Sequence, residues 1–182
     1  MKKFSIILAV DDKNWLGKDN DLAWRIKADM KFFKDVTSKT QDLAKHNAVV
    51  MWRKTWDSIP KKFRPLEQRI NCVLTRKIHT ESTHSQIDDF VLYFNSLEHC
   101  LDELNTKDNI EEIFIIWGSQ LYNQVLDHPD LEKIFLTRVI WDYGCDVFFD
   151  WVPSNFELES KTDKVEEKWK FYNFNIYTRK NN

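Results

Sequence analysis

Seven short apolar runs rich in β-branched and aromatic side chains punctuate the chain: Phe4 to Val10, Asn47 to Met51, Ile70 to Leu74, Phe90 to Phe94, Ile113 to Ile116, Ile134 to Val139 and Trp169 to Tyr177. Several are continuous rather than alternating, the pattern of central strands covered on both faces. Helical patterns lie between them at Ile26 to Thr37, Thr55 to Ile59, Ser96 to Leu104, with Ser96 as N-cap, and Ser119 to Leu126. Strands alternate with helices over the first two thirds of the chain and then stand alone. That order restricts the chain to an α/β fold, a single domain over residues 1–182. Its core is a mixed, mostly parallel central sheet of about eight strands with an antiparallel C-terminal edge, flanked by about four helices.

A chain of 182 residues buries roughly 70% of the surface its unfolded form exposes, enough for a core without disulfide or metal staples. A net charge of −2 with 42% hydrophobic and 31% charged residues excludes a disordered chain, a collagen-like repeat and a strongly basic nucleic-acid binder, so no nucleic-acid partner is expected. Cys72, Cys100 and Cys145 show no C-x-x-C spacing and no histidine cluster, which argues for a reducing compartment and against a metal site. Met1-Lys2-Lys3 before Phe4 to Val10 imitates a signal peptide, but the run stops at Asp11-Asp12 without a cleavage site and reads as a buried first strand. No stretch has the apolar length to cross a bilayer, so a cytoplasmic protein with no membrane partner is expected. The polar stretches Ser38 to His46, Lys77 to Asp88 and Lys161 to Lys168 read as loops.

The helix beginning near Ile26 carries the sharpest local signal. Its apolar face runs Ile26, Met30, Phe33 and Thr37 with Phe32 and Val36 beside it, and Asp29 lies three and four residues before the two phenylalanines. Helical geometry sets that carboxylate on or beside the buried stripe. Taken alone, such an aspartate also fits an edge residue reaching water. A buried one would have a raised pKa and suit a group that binds a cationic heterocycle or manages a proton.

Other features surround it. Leu16-Gly17 and Asn20-Asp21-Leu22-Ala23-Trp24 lie in a loop joining the first strand to this helix, and Val49-Val50-Met51-Trp52-Arg53-Lys54-Thr55-Trp56-Asp57-Ser58-Ile59-Pro60 follows. Then come Phe63-Arg64-Pro65-Leu66, Arg69-Ile70-Asn71, Leu74-Thr75-Arg76, Ile115-Ile116-Trp117-Gly118-Ser119-Gln120-Leu121-Tyr122, Leu136-Thr137-Arg138 and Asp146-Val147-Phe148-Phe149. In this order and at these spacings, from Ser5 to Tyr177, they closely resemble dihydrofolate reductase, in its longer, eukaryote-like form.

The resemblance implies a monomeric enzyme of one-carbon metabolism that moves a hydride from NADPH to C6 of dihydrofolate while N5 gains a proton, and that binds antifolate inhibitors. Asp29 then matches the acid that hydrogen-bonds the pterin amino group and N3, a bidentate, charge-assisted pair. Leu22 matches the mobile residue that closes over the nicotinamide, and Trp24 the indole that orients the pterin and an ordered water. Ile7, Ala9, Phe33, Ile59 and Leu66 match the apolar walls of the substrate site, a role that overlaps with ordinary core packing. Ile116 and Thr137 match residues abutting the pterin, and Arg69 the guanidinium on the α-carboxylate of the glutamate tail. Arg53, Lys54 and Thr55 match a phosphate-facing helix start, and Thr75 and Arg76, after Leu74, the pair at the adenosine 2′-phosphate. Gly118, Ser119, Gln120, Leu121 and Tyr122 open the other phosphate-facing helix, with Tyr122 beside the nicotinamide. Ala9, Leu16, Gly17 and Ile116 complete the cofactor set. Among related activities, a pterin or pyrimidine reductase fits Arg69 less well, because Arg69 anticipates a glutamate tail.

Three departures bear on the cofactor half. The family pattern has glycine at positions 15, 52 and 117, where this chain has Trp15, Trp52 and Trp117, the last being the first of a Gly-Gly pair joined by a cis bond. A cis bond after Trp117 would cost about 3 to 4 kcal/mol against trans, and an indole at 52 or 117 would occupy space the cofactor needs. A non-catalytic folate-binding homologue is therefore the competing reading. Milder departures are Ala23 and Asp150, where the family often has proline. Composition points the same way: 3 glycines stand beside 8 tryptophans, against the roughly 13 glycines expected at about 7%. Trp24 and Trp56 are where the family has tryptophan, so the excess is Trp15, Trp52, Trp117, Trp141, Trp151 and Trp169. One explanation is that some or all are glycine in the native host, from a codon rendered here as tryptophan. Adaptation around bulky residues and deliberate engineering are the alternatives.

Overall fold

The computed structural model describes residues 1–17, 24–76, 90–141 and 147–180. Its framework is one sheet built on the apolar runs. Strand β1 (Phe4–Val10) lies at the centre between β6 (Ile110–Ile116) and β7 (Leu131–Val139), parallel to both. Beyond β6 follow β3 (His46–Trp52), β4 (Arg69–Leu74) and β5 (Val91–Phe94), all parallel. On the other side β11 (Lys170–Arg179) runs antiparallel to β7 and carries β9 (Phe156–Lys161) and β10 (Val165–Glu167) on its outer edge. A separate small ribbon pairs β2 (Trp15–Gly17) with β8 (Val147–Phe148). The parallel centre and antiparallel C-terminal edge agree with the order of apolar runs, because parallel strands need crossover helices and the terminal strands have none between them.

Alternation along the strands sorts the core into two layers. Phe4, Ile6, Leu8 and Val10 pack on the face that carries α3 (Leu97–Asn105) and α4 (Ser119–Val125). Ile7, Val49, Met51, Val73, Phe114 and Ile116 pack on the face covered by α1 (Lys27–Ser38) and α2 (Arg53–Ser58). Helix α3 follows its local code: Leu97, Cys100, Leu101 and Leu104 form the buried stripe, and the Ser96 hydroxyl accepts from the His99 N–H at 3.1 Å. Cys72 and Cys100 are free buried thiols, and burial pushes the Cys100 thiol well up. Cys145 lies outside the described residues, as do Leu22, Ala23 and the Lys77 to Asp88 stretch.

Several expectations need correction. Met30, placed on the buried face of α1, is exposed, and the face is carried by Ile26, Phe33 and Thr37. Leu16-Gly17, expected in a loop, belong to β2, which exists only because β8 supplies a partner from far along the chain. Lys161 to Lys168, expected as a loop, contains β10, and β9 escaped notice altogether. Both are edge strands with almost no buried side chain, held by β11 through backbone bonds that leave no apolar pattern. Trp169, expected to begin the last strand, sits in the preceding turn with φ of 66°. Among the described residues, no helix is long and apolar enough to cross a membrane.

Candidate active site

Trp52 and Ile116, at the C-terminal ends of β3 and β6, lead into residues matched to the site, and this end of open α/β sheets commonly binds ligands. Asp29 projects from the first turn of α1. That helix begins at Ile26, which offers no side-chain cap, and two of its free N–H groups are satisfied from elsewhere: Glu167 of β10 accepts from Lys27 at 2.9 Å and Ala28 at 3.1 Å. Those two bonds hold the Glu167 carboxyl below its usual pKa. The antiparallel edge of the sheet thus positions the start of the helix bearing Asp29.

Asp29 is half-buried as a residue, yet its carboxyl is enclosed by protein on most sides. Burial pushes its pKa from 3.8 up to about 6, while a hydrogen bond from the Thr137 side chain opposes the rise. Thr137 stands in β7 opposite Ala9 of β1, and Trp24 packs beside them with Ile26, Val139 and Tyr172. Tyr172 escaped the sequence reading. Its pKa is raised by burial and by the neighbouring charges of Glu167 and Asp29.

Most of the residues matched to an apolar wall share a buried cluster, whereas Ala9 packs with Trp24 and Ile26 instead. Ile7, Phe33, Ile59, Leu66 and Ile116, drawn from five separate segments, join one buried cluster. Arg69 closes its far end. It is only 4% exposed, with Nη1 donating to the Thr37 hydroxyl at 2.7 Å, Nε donating to the Glu67 carbonyl at 3.0 Å, and the guanidinium 5.6 Å from the centre of the Phe33 ring. Burial lowers its pKa to about 10, partly offset by Glu67, and no carboxylate pairs with it among the described residues. A buried cation without an ion-pair partner is costly and favours an incoming anion. Thr37, which orients Arg69, was visible only as the end of the helix stripe.

The residues matched to a cofactor gather at two short helix starts. Arg53, Lys54 and Thr55 form the first turn of α2, and Gly118 is the N-cap of α4, followed by Ser119 and Gln120. The Thr55 hydroxyl donates to the Trp117 carbonyl at 2.7 Å and ties the two together. Arg53 is held by Asp57 at 2.9 Å. Thr75 and Arg76 follow β4, where the Thr75 N–H bonds the Phe94 carbonyl at 2.8 Å. Leu74 and Leu121 place their side chains in the core layer under α3 and α4, so only their backbone can face a ligand there. The Tyr122 hydroxyl donates to the Ile7 carbonyl at 2.7 Å and accepts from the Trp117 N–H, and burial drives its pKa far up. Leu22 lies outside the described residues. The bond after Trp117 is trans, and Arg64–Pro65 is the cis bond among the described residues.

Comparison with known proteins bears on the whole chain. A profile of the family described as dihydrofolate reductase matches residues 3–181. The chain is 34% identical to a dihydrofolate reductase of Heliothis virescens over 178 residues, covering 97% of this chain and 95% of that protein. It is 34% identical to one from Aedes albopictus over 187 residues, with 98% of each covered. A putative dihydrofolate reductase of Caenorhabditis elegans is 39% identical over 178 residues, with 92% of each covered. With a match of this extent joined to the α/β sheet and the enclosed Asp29, the chain belongs to the dihydrofolate reductase family of oxidoreductases.

Proposed function

We propose that this fold serves the reduction of 7,8-dihydrofolate to 5,6,7,8-tetrahydrofolate with NADPH as hydride donor, in a cytoplasmic, monomeric enzyme of one-carbon metabolism that also binds antifolates. The observation that carries this reading is Asp29, an enclosed carboxyl with pKa raised to about 6, hydrogen-bonded to the Thr137 side chain and one helical turn before Phe33 of the apolar cluster. With such a pKa both protonation states are accessible near neutrality, which suits a group that binds an amino-heterocycle and promotes its protonation. The ionised form accepts two parallel N–H donors from a pterin. Phe33, Ile7, Ile59, Leu66 and Ile116 sandwich the rings and exclude water, Trp24 borders the Asp29 side, and unpaired Arg69 takes a carboxylate of the tail. Leu22, by the family resemblance, closes the site.

The cofactor half does not fit as the chain stands. The Trp117 indole lies stacked on Phe33, with ring centres 4.7 Å apart and planes within 20°. Trp52 packs toward Gly118 between the two helix starts assigned to the phosphates, at Arg53, Lys54, Thr55 and Gly118. That observation favours a second reading, a folate-binding homologue from which NADPH is excluded. Dihydrofolate titrations of the protein and of Asp29→Asn, followed by tryptophan fluorescence, test the substrate half. A loss of about tenfold to a hundredfold in affinity for the variant is expected from one charge-assisted bond, and equal affinities would refute the role of Asp29. NADPH absorbance in the presence of dihydrofolate separates the two readings: oxidation supports the reductase, and no oxidation supports the binder.

A further inference from the structure

Glycine occupies positive φ freely, whereas a bulky side chain there is an outlier. Trp117, at φ 41°, and Trp169, at φ 66°, are two of the five non-glycine residues with positive φ among the described residues. Trp169 belongs to a two-residue hairpin connection: Glu167 pairs with Lys170, and Lys168 and Trp169 between them have φ of 50° and 66°. Two central residues of positive φ make the tight hairpin turn whose second position strongly prefers glycine. Trp169 is 88% exposed there. Trp52 has ordinary φ, and its case rests on packing. Its indole N–H is buried with no hydrogen-bond partner, and its Cδ1 would stand 3.6 Å from a Cβ added at Gly118.

The tryptophans divide accordingly. Trp24 and Trp56 are buried in the core, as large indoles usually are. Trp117 is instead partly buried with its ring stacked on Phe33, Trp52 is partly buried beside Gly118, and Trp141, Trp151 and Trp169 are 65%, 67% and 88% exposed.

We propose that positions 52, 117 and 169 are glycine positions, with the Trp52 and Trp117 indoles acting as a plug over a dinucleotide-phosphate site. The form with glycine at 52 and 117 is then the cofactor-competent one. Removing the two indoles frees the Phe33 face and the space beside Gly118 and the Thr55 hydroxyl without deleting any hydrogen-bonding side chain assigned to the ligand. The cofactor part of this inference rests on the reductase reading, whereas the hairpin part does not.

The experiment compares the protein with Trp52→Gly/Trp117→Gly and, separately, with Trp169→Gly. NADPH binding is measured by calorimetry, dihydrofolate binding by fluorescence, and thermal midpoints by circular dichroism. The double variant is expected to bind NADPH at least about tenfold more tightly (a Kd ratio worth about 1.4 kcal/mol), and to bind dihydrofolate no more weakly than the parent, because the Trp117 ring also covers the Phe33 face of the substrate wall. Trp169→Gly is expected to raise the midpoint by about 2 to 6 °C as the left-handed strain is relieved. Both results are required. Unchanged NADPH affinity in a folded double variant, a double variant and both single variants that fail to fold, or a midpoint that does not rise for Trp169→Gly would each overturn the proposal. Failure of the reductase reading shows separately, as absence of dihydrofolate binding in both the parent and the double variant.

Discussion

Replacing Asp29 by asparagine should make the ligand-free protein more stable while weakening its substrate site, and the size of the first effect should follow pH. Enclosure raises the folded-state pKa from 3.8 to about 6, a rise of about 2 on the pH scale, and at about 1.4 kcal/mol for each pH unit this corresponds to about 3 kcal/mol. Because the folded pKa lies above the unfolded one, the native state holds more protons between these values. Stability therefore falls as pH rises through the window and levels off above it. The open part of the Asp29 surface moderates the penalty, so about 1 to 3 kcal/mol is the working range. Asparagine never pays this ionisation cost, and its carbonyl oxygen still accepts from Thr137. The variant should match the parent near pH 4 and exceed it by that margin near pH 8, about 2 to 10 °C in thermal midpoint for a chain of this size. Urea titrations of both proteins at several pH values measure it. A difference that stays constant across pH would refute the assignment of the raised pKa to Asp29, as would a variant that loses stability at every pH.

Other outcomes follow from the same geometry. Arg69→Gln should weaken dihydrofolate binding by about tenfold to a hundredfold while leaving a pterin without the glutamate tail nearly unaffected. Equal losses for the two ligands, read by fluorescence titration, would remove its anion-binding role. Glu167→Gln should abolish an acid-side decline. The depressed pKa of Glu167 means its contribution is present above the ordinary carboxylate range and lost as pH falls through the folded value, so a parent and variant with superimposable acid limbs would contradict that. Intact mass of protein made by the native host should be lower than the sequence predicts by the difference between an indolylmethyl group and a hydrogen atom for each native glycine, and a mass equal to the sequence would reject the codon explanation.

What was legible from the sequence is local. The continuous run Phe4 to Val10 reads as a two-sided central strand because burial on both faces leaves no polar alternation, and it occupies the centre of the sheet. The stripe Ile26, Phe33, Thr37 sets Asp29 near the buried face because helical periodicity acts within one element, although Met30 shows that the stripe's width depends on what covers it. The Ser96 cap likewise needs only three residues of neighbouring chain. Tertiary structure decided the rest, because those interactions join distant residues. Strands β9 and β10 exist as partners of β11, Glu167 caps a helix 140 residues away, and Thr37 turns Arg69 toward Phe33 across 32 residues. The glycine deficit was countable from composition. The resemblance already set glycine at 15, 52 and 117; the folded backbone separates Trp117 and Trp169 from the other tryptophans, because their positive φ is fixed by the tertiary structure and favours a residue without a Cβ.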